Sequence, residues 1–297
     1  VRAFFFAAVL TTVAGCGGAD YVPRPTFTLV LPAGQEQWKR EIADGFVETL
    51  RAYGYESKIV RYESFDTESI VAAANEAPRG ERAAISIVFT RREQVASVVD
   101  RLTSLKRDVI TVGADDAMVS KAGHVGISAE RTVYIWKIRI SQLPTMPSRI
   151  LFLFGNEPIK TERLQGSVYS RSSEGKEFRA RFRELTDVTQ EDLDWAELVV
   201  PVGEDAYLLA SKSSTRDLFP ITGADVVLNA IREGLVSHAI TLEHYQVGVR
   251  TAQMARDYHL QSLRSPVNNL PCEEVDKASL QIHMDRRYKL PPTLRSE

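Results

Sequence analysis

Phe27-Thr-Leu-Val-Leu31 is a short β-branched and apolar run, and after it Trp38, Ile42, Phe46 and Leu50 recur at every fourth position. The first run has the length of a buried strand, and the second pattern puts one apolar stripe on a helix whose other faces carry Lys39, Arg40, Glu41 and Arg51. Gly54 is the expected stop of that helix. The unit then repeats. Lys58 to Tyr62, Ala83 to Phe89, Val109 to Val112 and His124 to Ile127 read as strands. Thr67 to Ala77 reads as a helix, as does the stripe Val95, Val98, Val99, Leu102 and Leu105. Strands alternating with amphipathic helices predict a parallel sheet with helices on its faces.

The second half repeats the layout less regularly. Arg149 to Phe154, Leu198 to Val202, Leu218 to Thr222, Ala239 to Leu242 and Leu280 to Met284 read as strands. Lys160 to Tyr169, Asp225 to Glu233 and Tyr245 to His259 read as helices. Phe178, Ala180 and Phe182 alternate with Arg179, Arg181 and Arg183, a period of two that predicts a half-buried strand. The connections at 186–197 and 204–217 read as too short for full crossover helices, so the second half is expected to be abbreviated.

Composition narrows the functions. The chain has 297 residues, 44% hydrophobic and 26% charged, enough for a large core or about two domains. With 37 Lys and Arg against 39 Asp and Glu, no cationic excess is present to neutralise a phosphate backbone, which argues against nucleic acid as a partner. Residues 1–15 pair one cation, Arg2, with an apolar run ending in small residues, the layout of a signal peptide and too short to span a bilayer. Val13-Ala14-Gly15-Cys16 resembles the bacterial lipobox, in which the cysteine is acylated and becomes the mature N-terminus. Residues 16–25, with Gly17-Gly18-Ala19-Asp20 and then Pro23 and Pro25, would be the tether. Acyl chains hold a protein at a membrane by about 0.8 kcal/mol per buried methylene.

Three stretches further on carry a resemblance. They are Val109-Ile-Thr-Val-Gly-Ala-Asp-Asp116 with His124-Val-Gly-Ile127, the turn Glu162-Arg163-Leu-Gln-Gly166, and Ala230-Ile-Arg-Glu-Gly234 running through Ala239-Ile-Thr-Leu-Glu-His-Tyr-Gln-Val-Gly248. In this order and spacing the chain resembles the type I periplasmic solute-binding proteins, the ribose- and galactose-binding family, over residues 26 to 285. The resemblance implies a two-lobed α/β fold, each lobe a parallel sheet flanked by helices, with crossovers near 127, 242 and 271. The first lobe would comprise 26–127 and 243–271 and the second 128–242 and 272–290, with a tail at 291–297. A small polar, sugar-like solute would be clamped between the lobes, without cofactor, metal or catalysis, and handed to an ABC permease in the cell envelope.

The same resemblance nominates site residues. Trp38 falls where the family stacks an aromatic on the sugar, and it also begins the apolar stripe of its helix. Gln35 and Glu36 share the preceding loop. Asp115 or Asp116 stands where a carboxylate accepts hydroxyl hydrogen bonds, and Arg163 where a guanidinium reaches in from the second lobe. Three positions depart from the pattern: Gly203, Thr222 and Leu242 replace usual hydroxyl readers. Glu204, Asp205, Asp225 and Glu243 lie beside them, although neighbours along a strand face opposite ways.

Those losses keep open an alternative, a degenerate binding-protein fold acting as a sensory or protein-partner module. Other chemistry finds no support: Gly175-Lys176 lacks the rest of a phosphate loop, the histidines, His238 and His244 included, lack metal-ligand spacing, and Cys272 reads as a small filler near a crossover. The lipobox reading predicts that Cys16→Ser releases the protein from the membrane fraction. Immunoblotting of fractionated cells checks this, and undiminished membrane recovery of the variant contradicts it.

Overall fold

The computed structural model describes residues 25–78, 83–158, 164–165, 168, 178–213, 217–263 and 265–289. The segment 1–16 read as a signal and lipobox, with Cys16, lies outside the described residues. Among the described residues no helix is long and apolar enough to cross a membrane.

The first half folds as its periodicity predicts. Strands β1 (Thr26–Pro32), β2 (Glu56–Tyr62), β3 (Ile85–Phe89), β4 (Val109–Gly113) and β5 (Gly123–Ile127) alternate with helices α1 (Gln37–Ala52), α2 (Thr67–Asn75) and α3 (Glu93–Ser104). All pair in parallel, in the order β11-β5-β4-β3-β1-β2. The outermost member, β11 (Val267–Leu270), comes from far along the chain. Phe27, Leu29 and Leu31 pack with Trp38, Ile42, Phe46 and Leu50 on one face of the sheet. Val30, Ile85, Ile87 and Phe89 pack with Ile70, Val95, Val98 and Leu102 on the other.

After β5 the chain forms α4 (Ala129–Ser141), for which the sequence reading assigned no element. Ser128 caps it by accepting the Arg131 N–H at 3.2 Å, and Val133, Trp136 and Ile140 bury one stripe. The second sheet runs β7-β6-β8-β9, from β6 (Arg149–Phe154), β7 (Arg179–Glu184), β8 (Leu198–Val202) and β9 (Asp217–Leu218). Single parallel bridges at Ile221 join Val202 to Ile240, and so extend the layer to β10 (His238–Thr241), which pairs antiparallel with β12 (Glu273–Asp276).

Three expectations for this half need correction. The connection at 186–197 holds α5 (Gln190–Trp195) and that at 204–217 holds α6 (Glu204–Ser213), so both do contain helices, one of them only six residues long. The strand expected over 218–222 survives only as β9 and the Ile221 bridge, because Pro220 interrupts it with no N–H to donate. Leu280 to Met284 is not a strand but belongs to α9 (Leu280–Arg286), in which Leu280 and His283 are buried and Ile282 is exposed, a spacing of three rather than two. Helix α7 (Asp225–Glu233) matches its expected bounds, and α8 (His244–His259) starts one residue early. Of the helix expected over 160–169 only Leu164, Gln165 and Val168 are described, and Leu164 and Val168 are buried in the core.

The period-two reading of 178–182 is borne out in β7. Phe182 stacks on Phe152 at 5.1 Å and on Phe154 at 6.1 Å. On the opposite face Arg181 and Arg183 each reach Asp192 at 2.9 Å. Burial pushes the Asp192 carboxyl up, but hydrogen bonds from Arg183, Arg181 and Thr189 outweigh it and leave it at about 2.

The returning helix α8 lies directly against α1. A Cβ on Gly45 would come within 2.2 Å of the Tyr245 carbonyl oxygen, and one on Gly248 within 2.1 Å of the Ile42 carbonyl oxygen. Only glycine lets the two backbones approach so closely. Gly248→Ala is therefore expected to push the helices apart and cost about 2–3 kcal/mol. Urea unfolding of variant and parent measures the difference, and equal midpoints contradict the close crossing.

Candidate functional site

The strands of both sheets run toward the junction between the lobes, and α1, α6 and α7 begin there. Gln37, at the first turn of α1, ties all three together. Its backbone N–H donates to Glu204 Oε2 at 3.1 Å, and its side-chain Oε1 accepts the Asp225 N–H at 2.8 Å. Glu204 opens α6 and Asp225 opens α7, so each carboxylate also sits at the positive end of its own helix. The sequence reading names both as neighbours able to stand in for the lost hydroxyl readers, against the expectation that neighbours along a strand face opposite ways. Each opens a helix, as the reading already has for Asp225, and both engage the junction.

Deeper in, Glu157 follows β6 and is 2% exposed. It accepts a hydrogen bond from Thr222 Oγ1 at 2.9 Å, and its other oxygen lies 2.8 Å from His244 Nε2 of α8. The glycine at 203 belongs to this arrangement. Its φ is +110°, and a Cβ there would meet Glu157 Cγ at 2.7 Å. A larger residue at 203 would thus clash with the carboxylate that fills its place. Asp205 lies alongside, accepting from the Asn156 backbone and side-chain N–H groups at 3.3 Å, and burial raises its carboxyl above the usual range.

The third part is Glu41, one turn beyond Gln37. Its Oε1 accepts from Gln37 Nε2 at 2.6 Å, from Tyr288 Oη at 3.1 Å and from Arg287 Nη2. Arg287 Nη1 meanwhile reaches Asp225 Oδ1 at 2.8 Å. Burial raises the Glu41 carboxyl, opposed by the charges of Arg287 and His244. The Tyr288 hydroxyl is pushed up to about 12 by burial and by the charge of Glu41. The junction is therefore a mixed wall of carboxylates, one guanidinium, one imidazole and amide groups that largely satisfy one another.

The residues nominated from the sequence fall mostly around this wall. Trp38 is 3% exposed, packed in the core with Ile42 and Phe46, and its ring lies 6.2 Å from that of His244. Gln35 is exposed, and Glu36 pairs with Lys39 at 2.8 Å. Asp115 turns inward to Lys121 and the Thr111 hydroxyl, while Asp116 pairs with Arg92 and accepts the Met118 N–H at 3.0 Å. Thr222 is committed to Glu157, and Leu242 is buried. Arg163 lies outside the described residues. What the reading missed is Gln37, Glu41, Glu157, His244 and Arg287. The four-residue step Gln37, Glu41, Gly45 beside the apolar stripe was the available signal for the first two. Lys39 and Glu41 had been placed on the solvent side of α1, and both are buried.

Cavities among the described residues lie elsewhere, two of them on the flanks of the second sheet. One of about 610 Å³ is lined by Arg181, Arg183 and Asp192, the other of about 830 Å³ by Tyr207, Leu235 and His238. Among the described residues Glu243, Glu273 and His283 bring donor atoms within 4.8 Å of one another. Glu273, however, already accepts from Arg286 at 2.6 Å and contacts His283 Nδ1 at 3.2 Å, so a guanidinium supplies the charge a metal would bring. Cys272 is buried and accepts a hydrogen bond from Thr132 Oγ1 at 3.3 Å, consistent with a filler.

Comparison with solved structures defines the fold class. The chain is similar to a LacI-type transcriptional regulator from Bacteroides fragilis, with TM-score 0.71 and 13% identity over 87% of this chain and 99% of that one. It is similar to GanP, a glucose-galactose binding protein from Geobacillus stearothermophilus, with TM-score 0.70 and 11% identity over 86% and 99%. A chain of the XylFII–LytSN complex gives TM-score 0.69 and 15% identity over 86% and 98%. The protein thus has the type I periplasmic-binding-protein fold, as its sequence resemblance implied. No family model and no curated protein matches it.

Glu157 follows β6 of the second sheet, His244 opens the helix packed against α1, and both are buried, so removing either leaves the other facing an interior without its neighbour. His244→Ala and Glu157→Ala should each cost about 3 kcal/mol, and the double variant should cost less than their sum by about 1–3 kcal/mol. A double-mutant cycle in denaturant measures this, and strict additivity contradicts the contact.

Proposed function

We propose that this protein is a lipid-anchored, extracytoplasmic solute-binding protein that captures a small polar, sugar-like ligand between its lobes for an ABC permease. It carries out no reaction. The observation that carries this reading is the polar wall between the lobes, where Gln37, Glu204 and Asp225 meet from both sides at the strand and helix ends. Open α/β sheets bind ligands at such ends, and pockets favour domain interfaces. The solved neighbour GanP is described as a glucose-galactose binding protein, which supports a sugar-like solute.

In this reading residues 26–127 and 243–271 form the first lobe and 128–242 and 272–290 the second. A solute that touches both lobes favours the closed state by its differential affinity. Glu204 and Asp225 are its second-lobe contacts, with Gln35 and Glu36 at the rim, and the resemblance implies that Arg163 also reaches the solute from the second lobe. Trp38 supports the wall from beneath rather than stacking on the solute. The signal and lipobox would place the protein at the outer face of a membrane.

The second reading, a sensory or partner-binding module, is favoured by one specific observation: Glu157, Thr222 and His244 are spent on each other where the related pattern has hydroxyl readers. A similar chain occurs in the XylFII–LytSN complex, which supports a partner protein in this reading.

A thermal-shift screen of the purified protein against sugars, polyols and nucleosides separates the two, since specific binding raises apparent stability by mass action. The solute-binding reading predicts a hit, and it predicts that Glu204→Ala and Arg163→Ala weaken that solute by about ten- to a hundredfold in calorimetric titration. A screen without any hit overturns it in favour of the partner module.

A further inference from the structure

The last described helix, α9, is rooted in the second lobe through β12, and the arm that follows it leaves that lobe. Each described residue of the arm, Arg287 to Lys289, touches a helix of the first lobe. Arg287 Nη2 and Tyr288 Oη reach Glu41 of α1, the Tyr288 ring packs edge-on against Tyr245 of α8 at 5.8 Å, and the Lys289 carbonyl accepts from Gln246 Nε2 at 3.2 Å. Arg287 is 4% exposed, although arginine is rarely buried without a dedicated set of partners. Its two forks point to different lobes, Nη2 to Glu41 of α1 and Nη1 to Asp225 of α7.

We propose that Glu41 and Asp225 form a guanidinium-binding site divided between the lobes, and that Arg287 occupies it as a tethered ligand that closes the cleft before any solute arrives. A ligand closes a two-lobed protein by contacting both halves, and the Arg287 side chain does so from within the chain. The planar fork is what allows one group to satisfy two carboxylates in different directions. Lys39, the other buried cation near the start of α1, is committed to Glu36 and to the Ala33 carbonyl, so it does not replace Arg287. Without the guanidinium, the buried Glu41 carboxyl would lose the cation that bridges it to Asp225, which favours separation of the lobes.

This closure requires only the two-lobed fold and is read in solute-free protein, so its failure leaves the solute-binding proposal standing, and a screen without hits leaves the closure standing. The full chain is examined by small-angle X-ray scattering with no added solute. The parent is expected to scatter as the closed shape, and Arg287→Ala to expand while keeping its circular dichroism and losing about 5–10 °C of melting temperature. Millimolar methylguanidinium should return Arg287→Ala to the compact shape and recover part of the melting temperature, whereas methylammonium at the same concentration should not. Asp225→Asn, which removes only the exposed second-lobe partner, should also expand and serves where Arg287→Ala does not fold. Unchanged scattering of the folded variants, or equal rescue by methylammonium, overturns the proposal.

Discussion

Two helices separated by about two hundred residues meet backbone to backbone, and the rest of the molecule is arranged around that contact. Gly45 of α1 and Gly248 of α8 remove the side chains that would hold the helices apart. The chain leaves the first sheet after β5, builds the second and then returns to this one narrow crossing. Fixing α8 against α1 places His244 beside Trp38 and above Glu157, and it holds Tyr245 where the carboxy-terminal arm can rest on it. A few tenths of an ångström at the crossing would therefore be felt at the lobe junction.

That junction is polar but not open-handed. Buried carboxylates are costly unless they are paired and hydrogen-bonded; Glu41 has Gln37, Tyr288 and Arg287, whereas Glu157 is hydrogen-bonded by Thr222 through one oxygen and has the other 2.8 Å from His244 Nε2 without a formed hydrogen bond. The missing side chain at Gly203 leaves the space that Glu157 fills, since a Cβ there would meet Glu157 Cγ at 2.7 Å. A solute entering the cleft competes with contacts that already exist, so its affinity is reduced by whatever it must displace.

The β/α order was legible because burying one face of a helix or both faces of a strand imposes a periodicity on the residues themselves. Phe27 to Leu31 with the Trp38 stripe, and Phe178 to Phe182 against its arginines, are cases of this kind. Where the apolar count was small the reading failed: Leu280, Ile282 and Met284 alternate, yet the buried set is Leu280, His283 and Arg287, a helical spacing that includes two polar residues. The junction was harder for the same reason. Glu41 and Lys39 look like solvent-facing residues of an amphipathic helix, and only a contact with a second lobe makes their burial sensible. Glu157 carried no local pattern at all, since its partners lie 65 and 87 positions away.

The placement of β11 bears on how the molecule can be made. This strand closes the edge of the first sheet beside β5, pairing Val267 with His124 and Leu270 with Ile127. The first lobe thus lacks an edge strand, and the helix that covers its α1 side, until residues 244–270 have been made. Contacts of such sequence separation are slow to form because a long loop must be closed before they stabilise anything. A nascent chain emerging from the ribosome carries an unfinished sheet with an unpaired edge until that stretch follows, the state in which chaperones find their substrates. An architecture that reads as two successive halves is, in time, completed as one.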